Sequence, residues 1–341
     1  DINKQSSFSI THKFDEVGHR LDVTVQTERI VEDEFSDLQT QEFLPSEKLG
    51  FLEENNTEED KKQFLAQIDY VWPIDKNTQF EAGYRTTSEK QNTGFTILNE
   101  VASGAMVVNE DLSNFLDYKQ TIHAVYSQFG KKWNGFSFLA GLRYEHTDWT
   151  VLQKNTSESG NNIFDGLFPT LNIGVEFSET ANLTFGYNRR LSRPGARELN
   201  PFRSRSSETS FFQGNPNLRP SYSDGFDLGF LKQFKKFTLN SSIYFRRTYE
   251  PRQRVTVESG EFVEVNGENT AVIKRFPVNF GSQDRLGIEA NSTIRWSPTW
   301  RTNLSFNVFK SIDKGKYENC LLYTSDAADD SLRVDLGGRR I

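Results

Sequence analysis

The chain has 341 residues, of which 35% are apolar and 26% are charged, and its formal net charge is −7. This length fits one large β domain or two ordinary domains, and the negative charge argues against a general nucleic-acid partner. No run approaches the roughly 18 uninterrupted apolar residues that a membrane-spanning helix requires. Cys320 is the only cysteine, which excludes an intrachain disulfide framework.

Twelve short segments alternate apolar and polar residues along the chain. In one of them Phe138, Ala140 and Leu142 fall on one face, while Gly141 and Arg143 fall on the other. A period of 2 is that of a β-strand, whose successive side chains point to opposite faces. Amphipathic helices are excluded, because their apolar residues would recur every 3.6 residues.

The connections between these segments alternate between very short and very long. Six tight turns are centred near Asp15, Lys76, Lys132, Thr180, Lys235 and Pro298. This asymmetry is typical of a transmembrane β-barrel, in which short turns lie on one side of the membrane and long loops on the other. A soluble sandwich, with turns every 8 to 12 residues, is the alternative fold. We therefore predict an all-β, antiparallel transmembrane β-barrel.

Two of the long segments contain acidic residues that need an interpretation. The first, about residues 31 to 62, is predicted to be a solvated surface loop, because acidic runs usually serve to solvate a surface. The second contains Asn109, Glu110 and Asp111, which lack the spaced carboxylates and the glycine of a calcium loop. We predict no metal site in either segment.

The fourth long segment, residues 189 to 219, carries seven arginines opposed only by Glu198 and Glu208. Arginine binds carboxylate and phosphate groups in a bidentate way. The segment could form a cationic vestibule for an anionic solute, contact lipid phosphates, or pair with acidic residues across the lumen. The candidate substrate-binding residues are Arg190, Arg193, Arg197, Arg203, Arg205 and Arg219.

The same segment contains three short motifs with defined turns: YNRRLSRP from Tyr187, LNPF from Leu199 and QGNPNLRP from Gln213. Together they resemble the barrel of TonB-dependent outer-membrane receptors, in the outer-membrane-protein β-barrel subfamily. Prolines prevent continuation of a sheet ladder and glycines permit sharp turns, so a shaped loop is expected. The motif residues with an expected structural role are Pro194, Asn200, Pro201, Phe202, Gly214, Asn215, Pro216 and Pro220.

The resemblance implies a barrel of about 22 strands with a plug domain inside it. About 12 strands are visible here, so it also implies that the plug and the closing strands are missing from this chain. The implied function is energy-coupled uptake of a scarce solute (iron chelate, cobalamin, oligosaccharide or peptide) across the bacterial outer membrane. The implied partners are the TonB complex, through the missing plug, the outer-membrane lipids, the solute and a surface lipoprotein. No cofactor is implied.

Two other functions are compatible with the residues themselves. One is a passive porin, an adhesin or a soluble β-rich binding protein without energy coupling. The other is a barrel hydrolase, since His146 and Asp148 share a strand face. No GxSxG elbow, phosphate loop or paired CxxC motif accompanies them, so we predict that the protein is not an enzyme.

The two ends of the chain differ from its middle. The chain starts at Asp1 without a signal peptide, which we interpret as the start of a fragment. The barrel region is predicted to cover residues 1–315. Residues 316–341 lack the strand alternation and resemble translated adapter sequence, so they are predicted to be a non-barrel tail, either artefactual or disordered.

Overall fold

The computed structural model describes residues 1–42, 48–265, 267–317 and 320–335. Its strands, in chain order, are β1 (Ile2–Lys13), β2 (Arg20–Glu42), β3 (Lys48–Asp75), β4 (Thr78–Glu100), β5 (Met106–Val108), β6 (Asn114–Trp133), β7 (Phe136–Gln153), β8 (Ser159–Ser178), β9 (Ala181–Ser192), β10 (Arg203–Ser207), β11 (Ser210–Gln213), β12 (Ser221–Gln233), β13 (Phe237–Tyr249), β14 (Arg252–Val265), β15 (Glu268–Asn279), β16 (Ser282–Arg295), β17 (Arg301–Tyr317) and β18 (Cys320–Asp335). One short helix, α1 (Ala196–Leu199), lies between β9 and β10. Among the described residues, no helix has the length and apolar character needed to cross a membrane.

Thirteen of these strands follow one another in a single antiparallel sheet, and β5 pairs with β4 beside them. The strands that are absent from this order, β10, β11, β14 and β15, form a second sheet of four strands. They belong to the two long connections that follow β9 and β13. The predicted antiparallel barrel fold is therefore confirmed, with its strands in the order of the chain.

Short and long connections alternate as predicted. The short turns are residues 14–19, 76–77, 134–135, 179–180, 234–236 and 296–300. In the third of them Asn134 and Gly135 both have positive φ, at 45° and 76°. A tight two-residue hairpin with this conformation favours an Asn-Gly pair. All six turns lie at one end of the sheet, the short-turn end; the other is the long-loop end.

One face of the sheet, the outer face, carries rows of apolar side chains that remain exposed. Phe185, Leu228, Ile243 and Ile288 are directly opposed across four adjacent strands. Ile243 and Ile288 are each 51% exposed, and no second layer covers them. In a water-soluble domain such rows would be buried, whereas lipid is their natural contact in a transmembrane barrel. The exposed rows therefore exclude the soluble sandwich.

Aromatic residues are concentrated at the short-turn end of the outer face. The rings of Trp133 and Phe136 lie 4.5 Å apart, and those of Phe234 and Phe237 lie 4.1 Å apart. Trp296, in the turn between β16 and β17, is 56% exposed. Aromatic girdles of this kind mark the level at which a barrel passes from hydrocarbon to lipid headgroups.

The first long connection differs from the prediction of a solvated loop at residues 31 to 62. The β2–β3 ladder continues outward through Asp33 and Glu58 to Glu42 and Lys48. Acidic side chains do not interrupt a hairpin that has passed beyond the membrane, because both of its faces contact water there. Residues 43–47 lie outside the described residues.

Part of the last segment, residues 316–341, has strand backbone next to the barrel sheet. Cys320–Asp335 pairs with β17 as β18, the thirteenth strand of the sheet. The free edge of β17 offers unpaired N–H and C=O groups to any segment that follows it. The assignment of a separate tail beyond residue 315 stays a prediction.

Candidate solute-binding site

Two long connections fold together at the long-loop end and form a structure that we call the cap, residues 193–220 and 252–279. Its sheet runs in the order β10, β11, β15 and β14. The central pair is parallel, with Ser210, Phe211 and Phe212 opposite residues 273–275. The cap thus joins segments from two separate loops into one hydrogen-bonded unit.

The cap packs against the inner face of the barrel wall, which is the face opposite the exposed apolar rows. Leu199 and Leu218 of the cap are 0% and 1% exposed and cluster with Tyr118, Trp149 and Val151 of β6 and β7. Full burial of one leucine side chain stabilises a fold by about 1.5–3 kcal/mol. This cluster holds the first cap loop inside the barrel mouth.

Gly214 occupies a position where no side chain fits. A β-carbon on Gly214 would lie 2.7 Å from the amide nitrogen of Asn200 and 2.7 Å from the carbonyl oxygen of Glu198. The next amide, that of Asn215, donates a hydrogen bond to this same Glu198 oxygen at 2.7 Å. The glycine therefore allows the two arms of the loop to meet backbone to backbone.

The other motif residues also contact the loop itself or the wall. The Asn200 side-chain oxygen accepts a hydrogen bond from the amide of Phe202 at 3.1 Å, and Gln213 donates to the carbonyl of Pro201 at 2.7 Å. Pro216 packs against Gly160 of β8, where a β-carbon would come within 2.9 Å of it. Buried members of the motif are Pro194, Pro201, Gly214 and Pro220.

Four of the six candidate arginines pair with a carboxylate. Arg193 donates to Glu145 on the inner face, and also to the hydroxyl of Thr147 at 3.0 Å. Arg205 pairs with Glu53 of β3. Arg203 pairs with Glu261 at 2.7 Å, and Arg219 with Glu250 at 2.6 Å. Arg193 and Arg205 thus pair with carboxylates of the barrel wall, and a role of these arginines in substrate binding stays a prediction.

The other two, Arg190 and Arg197, have no carboxylate partner among the described residues. Arg190 lies exposed on β9, directly opposite Ser223 of β12. Arg197, on α1, lies over the ring of Phe212, with 5.4 Å from its guanidinium carbon to the ring centre. Both guanidinium groups therefore keep hydrogen-bond donors that an anion could use.

The structure adds two arginines to this group that sequence reasoning missed. The guanidinium of Arg254 also lies 5.4 Å from the centre of the Phe212 ring, and Arg275 is directly opposite Phe212 in the parallel pair. We call Arg197, Arg254, Arg275 and Phe212 the arginine cluster. All three arginines are exposed, and none has a carboxylate partner among the described residues.

Arg252 fixes the second cap loop to the first. Its guanidinium donates to the Glu198 carboxylate at 3.1 Å and to the backbone and side-chain oxygens of Ser192 at 2.8 and 3.0 Å. Asn279 and Arg219 exchange hydrogen bonds of 2.7 and 2.8 Å through the Asn279 side chain and the Arg219 backbone. These contacts hold the arginine cluster in a defined geometry.

A cavity of about 1020 Å³ lies at the other end of the barrel interior, close to the short turns. Polar side chains of the inner face that line it include Asn172, Asn188, Asp227, Asn240, Glu289 and Asn291. The barrel interior therefore combines a cationic cap at the long-loop end with a polar chamber below it.

His146, the residue that suggested a hydrolase, lies on the outer face. Its Nδ1 is 2.8 Å from the Asp165 carboxylate, which also accepts a hydrogen bond of 2.6 Å from Tyr144. Asp148 is directly opposite Ile163, which is 61% exposed on the outer face. This group is thus separated from the cap and from the barrel interior by the thickness of the sheet.

A sequence profile of the outer membrane protein β-barrel family matches residues 12–329. No curated protein matches the chain. Among solved structures, the siderophore receptor PiuA from Acinetobacter baumannii superposes with a TM-score of 0.62 at 12% identity, over 96% of this chain and 49% of that one.

Two further transport proteins share the fold. The copper transporter OprC has a TM-score of 0.64 at 10% identity, over 91% of this chain and 47% of its own. The ferric-catecholate import receptor Fiu from K12 E. coli has a TM-score of 0.61 at 12% identity, over 92% of this chain and 48% of that one. This chain thus spans about half the length of the structures that it resembles. Because the family profile covers most of the sequence, the chain belongs to the outer membrane protein β-barrel family, and its strands lie in the bacterial outer membrane.

Proposed function

We propose that this chain is the barrel part of an energy-coupled, TonB-dependent receptor that takes up a scarce anionic solute across the outer membrane. The arginine cluster supports the choice of an anionic solute, because the guanidinium groups of Arg197 and Arg254 lie over one aromatic ring, Arg275 is on the adjacent strand, and none of the three has a carboxylate partner among the described residues. Iron chelates with carboxylate groups fit this chemistry better than neutral oligosaccharides.

The packing of the cap supports a binding role for the cluster. Arg193 and Arg205 join the cap to the wall through ion pairs, and Arg203 and Arg252 join the two cap loops to each other. A site whose geometry is fixed before the ligand arrives loses less conformational entropy on binding, which favours affinity. In this proposal Arg197 and Arg254 contact the solute, while Arg193 and Arg205 keep the cap in place.

Solute would bind at the cap and then move into the polar chamber below. The polar side chains of the inner face replace part of the solute's hydration shell during this passage. The driving force is proposed to reach the barrel through a plug domain and TonB, as in the receptor family that the motifs resemble. No chemical step is assigned to any residue, and the protein is proposed to be a transporter and not an enzyme.

Binding can be tested on the full-length protein in detergent with ferric citrate as an anionic probe and cyanocobalamin as a comparison. We expect Arg197→Gln with Arg254→Gln to weaken ferric citrate binding by at least about 100-fold, since hydrogen bonds to charged groups contribute about 1.5–3 kcal/mol each. The matched control is Arg219→Gln, which removes a cap arginine outside the cluster. Unchanged affinity in the double variant would contradict the assignment of the cluster.

Energy coupling needs a separate measurement in intact cells. Uptake of the radiolabelled probe should stop when a protonophore collapses the proton gradient of the inner membrane. A passive porin would continue to equilibrate the probe under the same conditions. Uptake that is insensitive to the protonophore would therefore overturn the receptor proposal while leaving the barrel fold intact.

A further inference from the structure

The outer face carries a line of basic residues that the transport function does not use. Lys4, Arg29, Lys62, Lys90 and Lys119 are directly opposed across five adjacent strands, with one of them on each of β1, β2, β3, β4 and β6. All five side chains are exposed. We call these five residues the basic row.

The basic row lies immediately beyond the lipid-facing band. Arg29 is the tenth residue of β2 counted from Arg20 at the short-turn end, and a barrel strand crosses the hydrocarbon in about 9–11 residues. On the outer face, the positions next to the row on its short-turn side include the uncharged residues Thr27 and Ser88. Exposed apolar residues follow, such as Phe8 and Val125, which are 64% and 58% exposed. The row is therefore placed at the headgroup level of the leaflet on the long-loop side.

Only part of this positive charge is neutralised within the protein. Asp60 binds Arg29 through two hydrogen bonds of 3.0 and 3.1 Å and lies 3.3 Å from the Lys62 ammonium. Asp117 lies two positions before Lys119 on the same face of β6, but its carboxylate pairs with the Lys154 ammonium at 3.0 Å.

The three other members of the row, Lys4, Lys90 and Lys119, have no carboxylate partner among the described residues. Like charges placed directly opposite each other on neighbouring strands repel, so the row gains from an external anion.

We propose that the basic row binds the phosphate groups of anionic lipids in the leaflet on the long-loop side of the membrane. Neighbouring strands are about 4.8 Å apart, so five strands present positive charge over about 19 Å of the barrel circumference. Long lysine side chains at the edge of the hydrocarbon extend their ammonium groups towards the headgroups. This interaction surface is on the outside of the barrel and does not depend on which solute passes through it.

The test uses the full-length protein in nanodiscs of phosphatidylcholine that contain a minor fraction of phosphatidic acid. Native mass spectrometry then counts the phosphatidic acid molecules that remain bound. We expect Lys4→Gln, Lys90→Gln and Lys119→Gln together to lower the retention of phosphatidic acid roughly tenfold, because each cation near a charged headgroup contributes a favourable interaction. Retention by the unaltered protein should also fall as salt is added.

Two variants make the result interpretable. Replacement of the same three lysines by arginine keeps the charge and should keep lipid retention, which separates loss of binding from loss of folding. Replacement of Lys76, Lys132 and Lys235 by glutamine removes the same charge at the short-turn end and should leave retention unchanged. Equal losses in the two glutamine variants would overturn the proposal.

Two further arms identify the group that is bound. Oleic acid in place of phosphatidic acid offers a carboxylate without phosphate, and equal retention of oleic acid would overturn the assignment to phosphate. Inorganic phosphate in solution should not displace the lipid at millimolar concentration. Complete displacement would show a site for the free ion and would also overturn the proposal.

Discussion

The backbone of Gly214 packs directly against the backbone of Asn200, and the space between them is too small for a side chain at position 214. A β-carbon there would come within 2.7 Å of the Asn200 amide nitrogen. Backbone atoms cannot move aside as the end of a flexible side chain can, so this contact fixes glycine at position 214.

We expect Gly214→Ala to open the cap loop and to destabilise its docked state by about 1–3 kcal/mol, the usual cost of overpacking. Limited proteolysis of residues 193–220 in the full-length, membrane-embedded protein measures the docked fraction. The control is Gly195→Ala, because a β-carbon at Gly195 meets no atom within 4 Å. Equal protection of both variants would contradict the role given to the contact between Gly214 and Asn200.

The ion pair between Arg193 and Glu145 should contribute more than the other cap pairs. Their side chains are only 19% and 12% exposed, and Glu145 also binds Arg143. Glu145→Gln leaves two guanidinium groups without a charged partner, and we expect it to weaken cap docking by about 1–3 kcal/mol.

The comparison is Glu261→Gln, which breaks the more exposed pair with Arg203 and should cost at most about 1 kcal/mol. Hydrogen exchange of the cap amides reports both effects on one scale. Equal exchange in the two variants would show that burial does not set the strength of these pairs.

Adjacent residues of β13 should differ in how strongly the same substitution destabilises the barrel. Ile243 lies on the outer face and is 51% exposed, whereas Ser242 lines the interior cavity. Ile243 is the central residue of β13, so Ile243→Arg should destabilise the barrel by about 2–4 kcal/mol, because the charge would face hydrocarbon near the bilayer midplane. Ser242→Arg should be close to neutral. Urea unfolding of the full-length protein from lipid vesicles gives both values, and a reversal of their order would invert the assignment of the faces.

The first short turn should depend on pH through Asp15. The amide of His19 contributes most to the lowered pKa of this carboxyl, followed by the amides of Val17 and Gly18, at 2.9, 2.9 and 3.1 Å respectively. A lowered pKa means that the ionised form stabilises the turn.

The stability that ionised Asp15 gives to the turn is fully present above the ordinary pKa of 3.8. It is lost as the pH falls through the lower pKa that this carboxyl has in the folded protein. Asp15→Asn should therefore remove an acid-induced opening of residues 14–19, as measured by proteolysis between pH 5 and about pH 2. The control, Glu16→Gln, should leave that opening unchanged. An identical acid response in Asp15→Asn would contradict the assignment.

The faces and turns of the barrel could be predicted from the sequence because they depend on local residue order. Alternation at residues 138–142 and the turn near Asp15 need no information from distant residues. Extension of β2 and β3 beyond residue 31 could not be predicted, because charged residues are equally compatible with a loop and with a hairpin in water.

The cap was predicted only in part. Its prolines and glycines indicated a shaped loop, but Arg205 and Glu53 are separated by 152 positions and meet only after the barrel curves. Arg254 and Arg275 were missed because they belong to a different long segment from Arg197. Only the parallel pairing of β11 and β15 brings the three together, and no local pattern specifies that pairing.

That parallel pairing has a mechanical consequence. Three consecutive residues, Ser210–Phe212, are joined to residues 273–275, so neither long connection can swing away while the other stays. A force applied to one of the two connections is therefore passed to the other through these backbone hydrogen bonds, and the two respond to a ligand as one unit.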